Sequence, residues 1–192
     1  MTLSIPLLRR DHINFALILN ALERQVDIAE AGGAPSLPLF HSALQYFQGY
    51  PRKVHHPHEE AIYGALLPHL TRSTSNVFHV IQDHRELAEC LASVSEAVRL
   101  LDPDEEDTVY RFCEAARQFI TRERLHIEME EGFLYPVAVR LIPAPEWEKL
   151  DRMFESESDP LFTDTVLTRY DRLVEDVLLR DSLSQKEHSG TR

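Results

Sequence analysis

Two short stretches carry residue types at a spacing suited to metal ligation. In Arg122-Glu123-Arg124-Leu125-His126-Ile127-Glu128-Met129-Glu130-Glu131-Gly132-Phe133-Leu134-Tyr135-Pro136, His126 and Glu130 stand four residues apart. On a helix that step puts both side chains on one face, one turn apart. An imidazole and a carboxylate so placed bind one metal ion, or bind one and bridge to a second. The stretch His55-His56-Pro57-His58-Glu59-Glu60 repeats the step with His55 and Glu59, again followed by a second glutamate. The offset pair His56 and Glu60 would face about 100° away on a regular helix. Only one pair can then point inward, and His55 with Glu59 aligns with His126 and Glu130.

The elements that must carry these residues are helical. Glycine is scarce, with six in 192 residues, and no strand-length alternation of Val and Ile occurs. The first stripe is Ile5, Leu8, His12, Phe15, Leu19, Leu22 and Val26, and Ala31-Gly32-Gly33-Ala34-Pro35 ends it. A second helical region runs from about Leu37 to Leu70, broken or kinked at Gln48-Gly49-Tyr50-Pro51, with Pro57 in the first turn after the break. A Thr/Ser-rich turn follows from Leu70 to Ser75. The third helix carries Val77, Ile81, His84, Ala88, Leu91 and Val98. Asp102-Pro103-Asp104 turns the chain into a fourth, with Val109, Phe112, Ala116, Phe119, His126, Glu130 and Phe133; Pro136 disturbs its end. A short helix over Glu146–Glu155 and an amphipathic one over Phe162–Leu179 come last, and Ser182–Arg192 is a polar tail.

This predicts an all-α fold: an up-down-up-down four-helix bundle over 1–142, a C-terminal helical extension packed on it over 143–181, and a flexible tail over 182–192. In antiparallel neighbours, residues equidistant from the turn lie level. The midpoint of His12 and His55 falls at 33 to 34, in the Gly-Gly turn, and that of Glu59 and His84 at 71 to 72, in the Thr/Ser turn. The midpoint of His84 and His126 is 105, in the acidic turn. All six candidates therefore share one level. Buried carboxylates and imidazoles are costly without partners, and cations remove that cost. Four histidines and two glutamates exceed one tetrahedral zinc site. They suit two ions bridged by the carboxylates, and nitrogen and oxygen donors without thiolate fit iron or manganese.

These residues resemble the hemerythrin-like proteins, the HHE cation-binding domain. The family pattern is a histidine on helix one, His-x-x-x-Glu on helix two, a histidine on helix three and His-x-x-x-Glu on helix four. His12, His55 with Glu59, His84, and His126 with Glu130 match it in order, over roughly Leu8 to Leu141. Glu131 and Leu134-Tyr135-Pro136 match the family's continuation of the fourth-helix motif. Tyr63-Gly64-Ala65 departs from the corresponding end on helix two. The resemblance implies two iron ions, a non-haem di-iron centre with an oxo or hydroxo bridge. It also implies binding or sensing of dioxygen, nitric oxide or peroxide, in stress response or iron-centre repair. A di-iron oxidase or peroxidase and a helical partner-binding module are the alternatives. Ferritin-like oxidases use Glu-x-x-His pairs and more carboxylates, so this pattern favours a binding or sensing domain over an enzyme.

The remaining residues read as follows. His41, His58, His69 and His188 are surface residues or lie behind the ligands; His79 is off the stripe. Glu123 sits at the stripe's edge, solvated or behind the ligands, and Tyr63 and Tyr135 are core residues able to donate to a bound oxygen species. Net charge is −12, which disfavours nucleic acid and anionic membrane as partners. A small diatomic or peroxide ligand is the expected partner, with a homodimer or protein partner left open. No apolar run reaches membrane-spanning length, and there is no signal-peptide pattern at the N-terminus. The two cysteines, Cys90 and Cys113, are expected as free thiols, and a cytoplasmic protein is expected.

Overall fold

The computed structural model describes residues 2–70 and 80–154. They fold into α1 (Ser4–Glu30), α2 (Leu37–Tyr50), α3 (His56–Leu66), α4 (Val80–Leu100), α5 (Glu106–Met129), α6 (Tyr135–Leu141) and α7 (Ala144–Phe154), with no strand among the described residues. The Thr/Ser turn beyond Leu70, His79, the helix expected over 162–179, and the tail with His188 lie outside them.

The apolar steps of three and four that define α1 become its buried face, from Ile5 through Leu8, Phe15, Leu19 and Leu22 to Val26. The helix stops at Gly32, whose φ of +80° is a conformation that side chains resist. Its first turn is closed from outside. Asp151 of α7 accepts hydrogen bonds from the Leu3 and Ser4 amides, at 3.1 and 3.0 Å, and from the Thr2 and Ser4 hydroxyls, both at 2.7 Å. A carboxylate there satisfies amides that the helix cannot, and it meets the positive end of the helix dipole.

Of the break or kink expected near Pro51, the break does not occur. A π-helical turn over Pro51–His55 carries α2 into α3 without interruption, and a second over Glu130–Leu134 joins α5 to α6. Both have the same cause. Each ends one residue before an X-Pro bond, at His56-Pro57 and Tyr135-Pro136. A proline in a helix clashes with the carbonyl four residues back and leaves it without a donor. One extra residue in the turn absorbs the misfit, so the His56 amide reaches the Pro51 carbonyl and the Tyr135 amide reaches that of Glu130. The two widened turns fall on the two ligand-bearing stretches.

Ion pairs set the registers. Between α1 and the run of α5 with its π turn, Arg9 meets Glu131 at 2.9 Å, Arg124 meets Glu23 at 2.7 Å, and Arg117 meets Glu30 at 2.8 Å, so these helices run antiparallel. Between α4 and α5, Arg122 holds Asp83 and Glu86. Buried apolar residues form two clusters. One gathers Phe15 to Ala29, Leu39 to Tyr50, Leu91 to Val98 and Phe112 to Ile120. The other gathers Ile5, Leu8, Ile62 to Leu66, Leu134 to Ile142, Trp147 and Leu150. Between them lies a layer of buried polar residues from α1, α3, α4, α5 and the two π turns: Asp11, His12, His55, Glu59, His84, His126 and Glu130. Cys90 and Cys113 are free; Cys113 is buried in the first cluster and Cys90 packs beside it.

Candidate metal centre

The polar layer holds two groups of side chains whose nitrogen and oxygen atoms lie within 4.8 Å of one another. One is His12, His55, Glu59 and Glu130; the other is His56, Glu59, His84 and His126. Glu59 belongs to both. Glu130 also approaches the second group, with Oε1 at 3.1 Å from Nε2 of His126 and 3.7 Å from Nε2 of His84. The two carboxylates are fully buried and stand between the imidazoles. Glu59 Oε1 is 3.2 Å from Nε2 of His55 and 3.6 Å from that of His12, while Oε2 is 3.4 Å from that of His84. Glu130 Oε2 is 3.3 Å from His12 Nε2.

All six residues selected from the sequence are thus brought to one level. His56 corrects the expectation that only one of His55 and His56 points inward. Where the π turn passes into α3, the rings of both reach the layer: His55 lies 5.0 Å from His12, centroid to centroid, and His56 lies 4.1 Å from His84, stacked within 10°. The reading on a regular 100° step failed because the chain is not regular there. The π turn was not visible in the residue spacing, although Pro57 was its signal.

A further set of carboxylates faces the outer nitrogens. Nδ1 of His55 donates to Asp11 at 3.1 Å, Nδ1 of His12 to Glu131 at 3.0 Å, and Nδ1 of His84 to Glu60 at 3.1 Å. Carboxylates only accept, so each bond holds a proton on Nδ1 and turns Nε2 toward Glu59 and Glu130, where a neutral ring would offer its lone pair to a cation. The sequence signal was an acid next to each motif: Asp11 before His12, Glu60 after Glu59, Glu131 after Glu130. Asp11 is itself held by the Tyr50 hydroxyl at 2.9 Å, and Arg9 braces Glu131. Tyr135, fully buried and stacked on His12, donates its hydroxyl to Glu59.

For two residues one of the alternatives left open is excluded. His58 is buried and not on the surface; its ring stacks on Phe154 of α7 at 3.7 Å. Glu123 is buried and not solvated, which leaves the place behind the ligands.

Without a cation the layer is electrostatically divided. Burial opposes a charge on His55 and His84, but Glu59 with Asp11 raises the first to about 9, and Glu130 with Glu59 raises the second to about 10. His12 moves up in the same way: burial resists, and Glu130, Glu131 and Glu59 outweigh it. His56 and His126 go down, through burial first. Burial raises Glu123 to about 7, helped by Glu130.

The donor set fits a cation. Nε2 of His84 and His126, Oε2 of Glu59 and both oxygens of Glu130 are buried without a hydrogen-bond partner. Such atoms are rare in a finished core and carry a penalty of several kcal/mol unless paired. The fit is to a harder transition ion, because the donors are imidazole and carboxylate with no thiolate.

A buried histidine and glutamate layer across packed helices is the architecture of a helical cation-binding domain. The chain belongs to the hemerythrin HHE cation-binding domain family, which matches residues 3–138. No curated protein and no solved structure matches it. Among the described residues, no helix is long and apolar enough to cross a membrane.

Proposed function

We propose that this protein holds two iron ions and binds or senses dioxygen, nitric oxide or peroxide through them. The observation that carries the reading is the pair of donor groups sharing Glu59, with inward atoms that have no hydrogen-bond partner among the described residues. His12, His55, Glu59 and Glu130 would hold one ion; His56, His84 and His126 would hold the other, with Glu59 and Glu130 bridging. Bound iron would supply redox and small-molecule ligation chemistry. The chain itself fixes the imidazole tautomers through Asp11, Glu131 and Glu60, excludes water with an apolar cluster on either side, and keeps a phenol proton on Tyr135 beside Glu59.

Two histidines on one ion against three on the other, with the two carboxylates shared, support an asymmetric centre. That favours ligand binding over the carboxylate-rich oxidase pattern. We also propose the up-down-up-down topology for the bundle, a division at residue 142 between bundle and extension, a cytoplasmic setting and a small diatomic or peroxide ligand. Metal analysis of protein purified without chelator should find about two irons per chain. Absorption spectra under air and under nitric oxide should differ. A metal content near zero after iron loading, or spectra indifferent to both gases, would overturn the reading.

A further inference from the structure

Beside the metal layer, a cleft of about 640 Å³ runs between α2 and α4, with α5 as its floor. That is some twenty times the ~30 Å³ share of a water molecule, so a diatomic ligand would leave it nearly empty. Volumes of this order hold organic molecules. One stretch of its wall is apolar, with Phe47, Leu87, Leu91 and Phe119, and Ala88 and Ala92 leave it wide; Gln48 and Glu60 add polar groups to its rim. Along the chain it spans the two turns from Gln48 to His56, roughly 10 Å. At one end it reaches His56 and His84.

The chain has 32 Asp and Glu against 20 Lys and Arg, and Arg9, Arg99, Arg111, Arg117, Arg122 and Arg124 each meet a carboxylate. Arg52 and Arg85 line the cleft together and make no ion pair among the described residues. Two guanidinium forks at one cleft without a carboxylate partner among the described residues suit a carboxylate from elsewhere. On the floor, Glu123 is only 2% exposed, lines the cleft and accepts no hydrogen bond from the described residues. A buried acceptor of that kind calls for a donor from whatever fills the space.

We propose that this cleft binds an organic monocarboxylate with an apolar body bearing a hydroxyl group. Its acid is held by Arg52 and Arg85, its body lies along Phe47, Leu87, Leu91 and Phe119, and its hydroxyl donates to Glu123. A dianion such as a phosphate ester suits the site less, because two carboxyl groups, Glu60 and Glu123, also line it. The proposal does not require the iron reading.

The probe is 3-(4-hydroxyphenyl)propionate, titrated calorimetrically into the iron-loaded protein, with iron content measured on the same sample. Binding at about 1 mM or tighter is expected. 3-Phenylpropionate, lacking the hydroxyl, and 4-ethylphenol, lacking the acid, should each bind at least about tenfold more weakly, and tyramine not at all. Arg52→Gln and Arg85→Gln should each weaken the probe about tenfold, while iron content and melting temperature hold. Ala88→Trp should block the cleft; if that variant folds poorly, Ala92→Trp, at an exposed position on the same wall, serves instead. No binding of the probe, equal binding of 4-ethylphenol, preference for tyramine, or unchanged binding in a folded tryptophan variant would each overturn the proposal. Iron-free protein that still binds the probe would sink the di-iron reading alone, and iron-replete protein that ignores it would sink this one alone.

Discussion

His56 stacks on His84 with ring centroids 4.1 Å apart, while its sequence neighbour His55 sits against His12 in the other donor group. Consecutive residues thus serve two different ions in the proposed centre, and the π turn ending at His55 is where they part. His56→Ala should therefore lower iron from about two to about one per chain. His58→Ala is the control: it removes the stack on Phe154 and should lower the melting temperature with iron unchanged. Metal analysis and thermal melts of both variants check this. Full iron occupancy in His56→Ala would remove that residue from the centre.

The outer carboxylates should tune affinity without being ligands. Asp11→Asn removes the charge behind His55, and Glu131→Gln removes the charge behind His12. Loss of such a partner costs roughly 10- to 100-fold in metal affinity. Chelator competition should show that loss in both variants, with about two irons still bound at saturation. Glu60→Gln tests the third contact, on His84; because Glu60 is 44% exposed, water replaces it more readily and the loss should be smaller.

The pH dependence of the metal-free protein follows from the divided layer. His12, His55 and His84 are raised in the folded state, to about 9 for His55 and about 10 for His84. A raised group contributes stability that is full below its unfolded value, about 6.5 for histidine, and is lost as pH climbs through the folded value. His56, His58 and His126 are lowered, His58 to about 4, so their contribution is present above about 6.5 and lost as pH falls. Glu123, raised to about 7, works against them on the acid side, one group against three. Metal-free protein should be most stable near pH 6.5 and weaken on both sides, measured as denaturation midpoint against pH. Iron loading should raise the melting temperature, and more so at alkaline pH, since a cation replaces the protons on the imidazoles. A flat profile, or no gain from iron, would mean the layer is not closed as described.

Much of this site was legible because it is periodic. Four-residue steps at His55 and Glu59 and at His126 and Glu130, with His12 and His84 on apolar stripes, need only helix geometry and the turn positions to be placed level. What spacing could not give came from departures from that geometry. The proline in or after each motif, Pro57 and Pro136, widens the helix by one residue, and at Pro57 this brings His56 into the layer. The contact between α7 and the rest was also hidden: nothing in the spacing links Asp151 to the first turn of α1, or Phe154 to His58. Those contacts join residues far apart in the chain, and no local pattern encodes them.

Tyr135 offers the last test. Its hydroxyl donates to Glu59, and its ring lies 5.5 Å from that of His12 and within 9° of parallel. Burial, reinforced by Glu59 and Glu130, holds its pKa well above the ordinary tyrosine value, so the phenol keeps its proton. Tyr135→Phe keeps the stack and removes only the hydrogen bond. A bond to a buried carboxylate contributes about 1.5–3 kcal/mol, and in the metal-free protein nothing replaces it, so denaturant titration should show a loss in that range. In the iron-loaded protein the carboxylate has the cations as partners, and the loss should shrink. Equal losses with and without iron would show that Glu59 does not change partners when metal binds, and would set it apart from the centre.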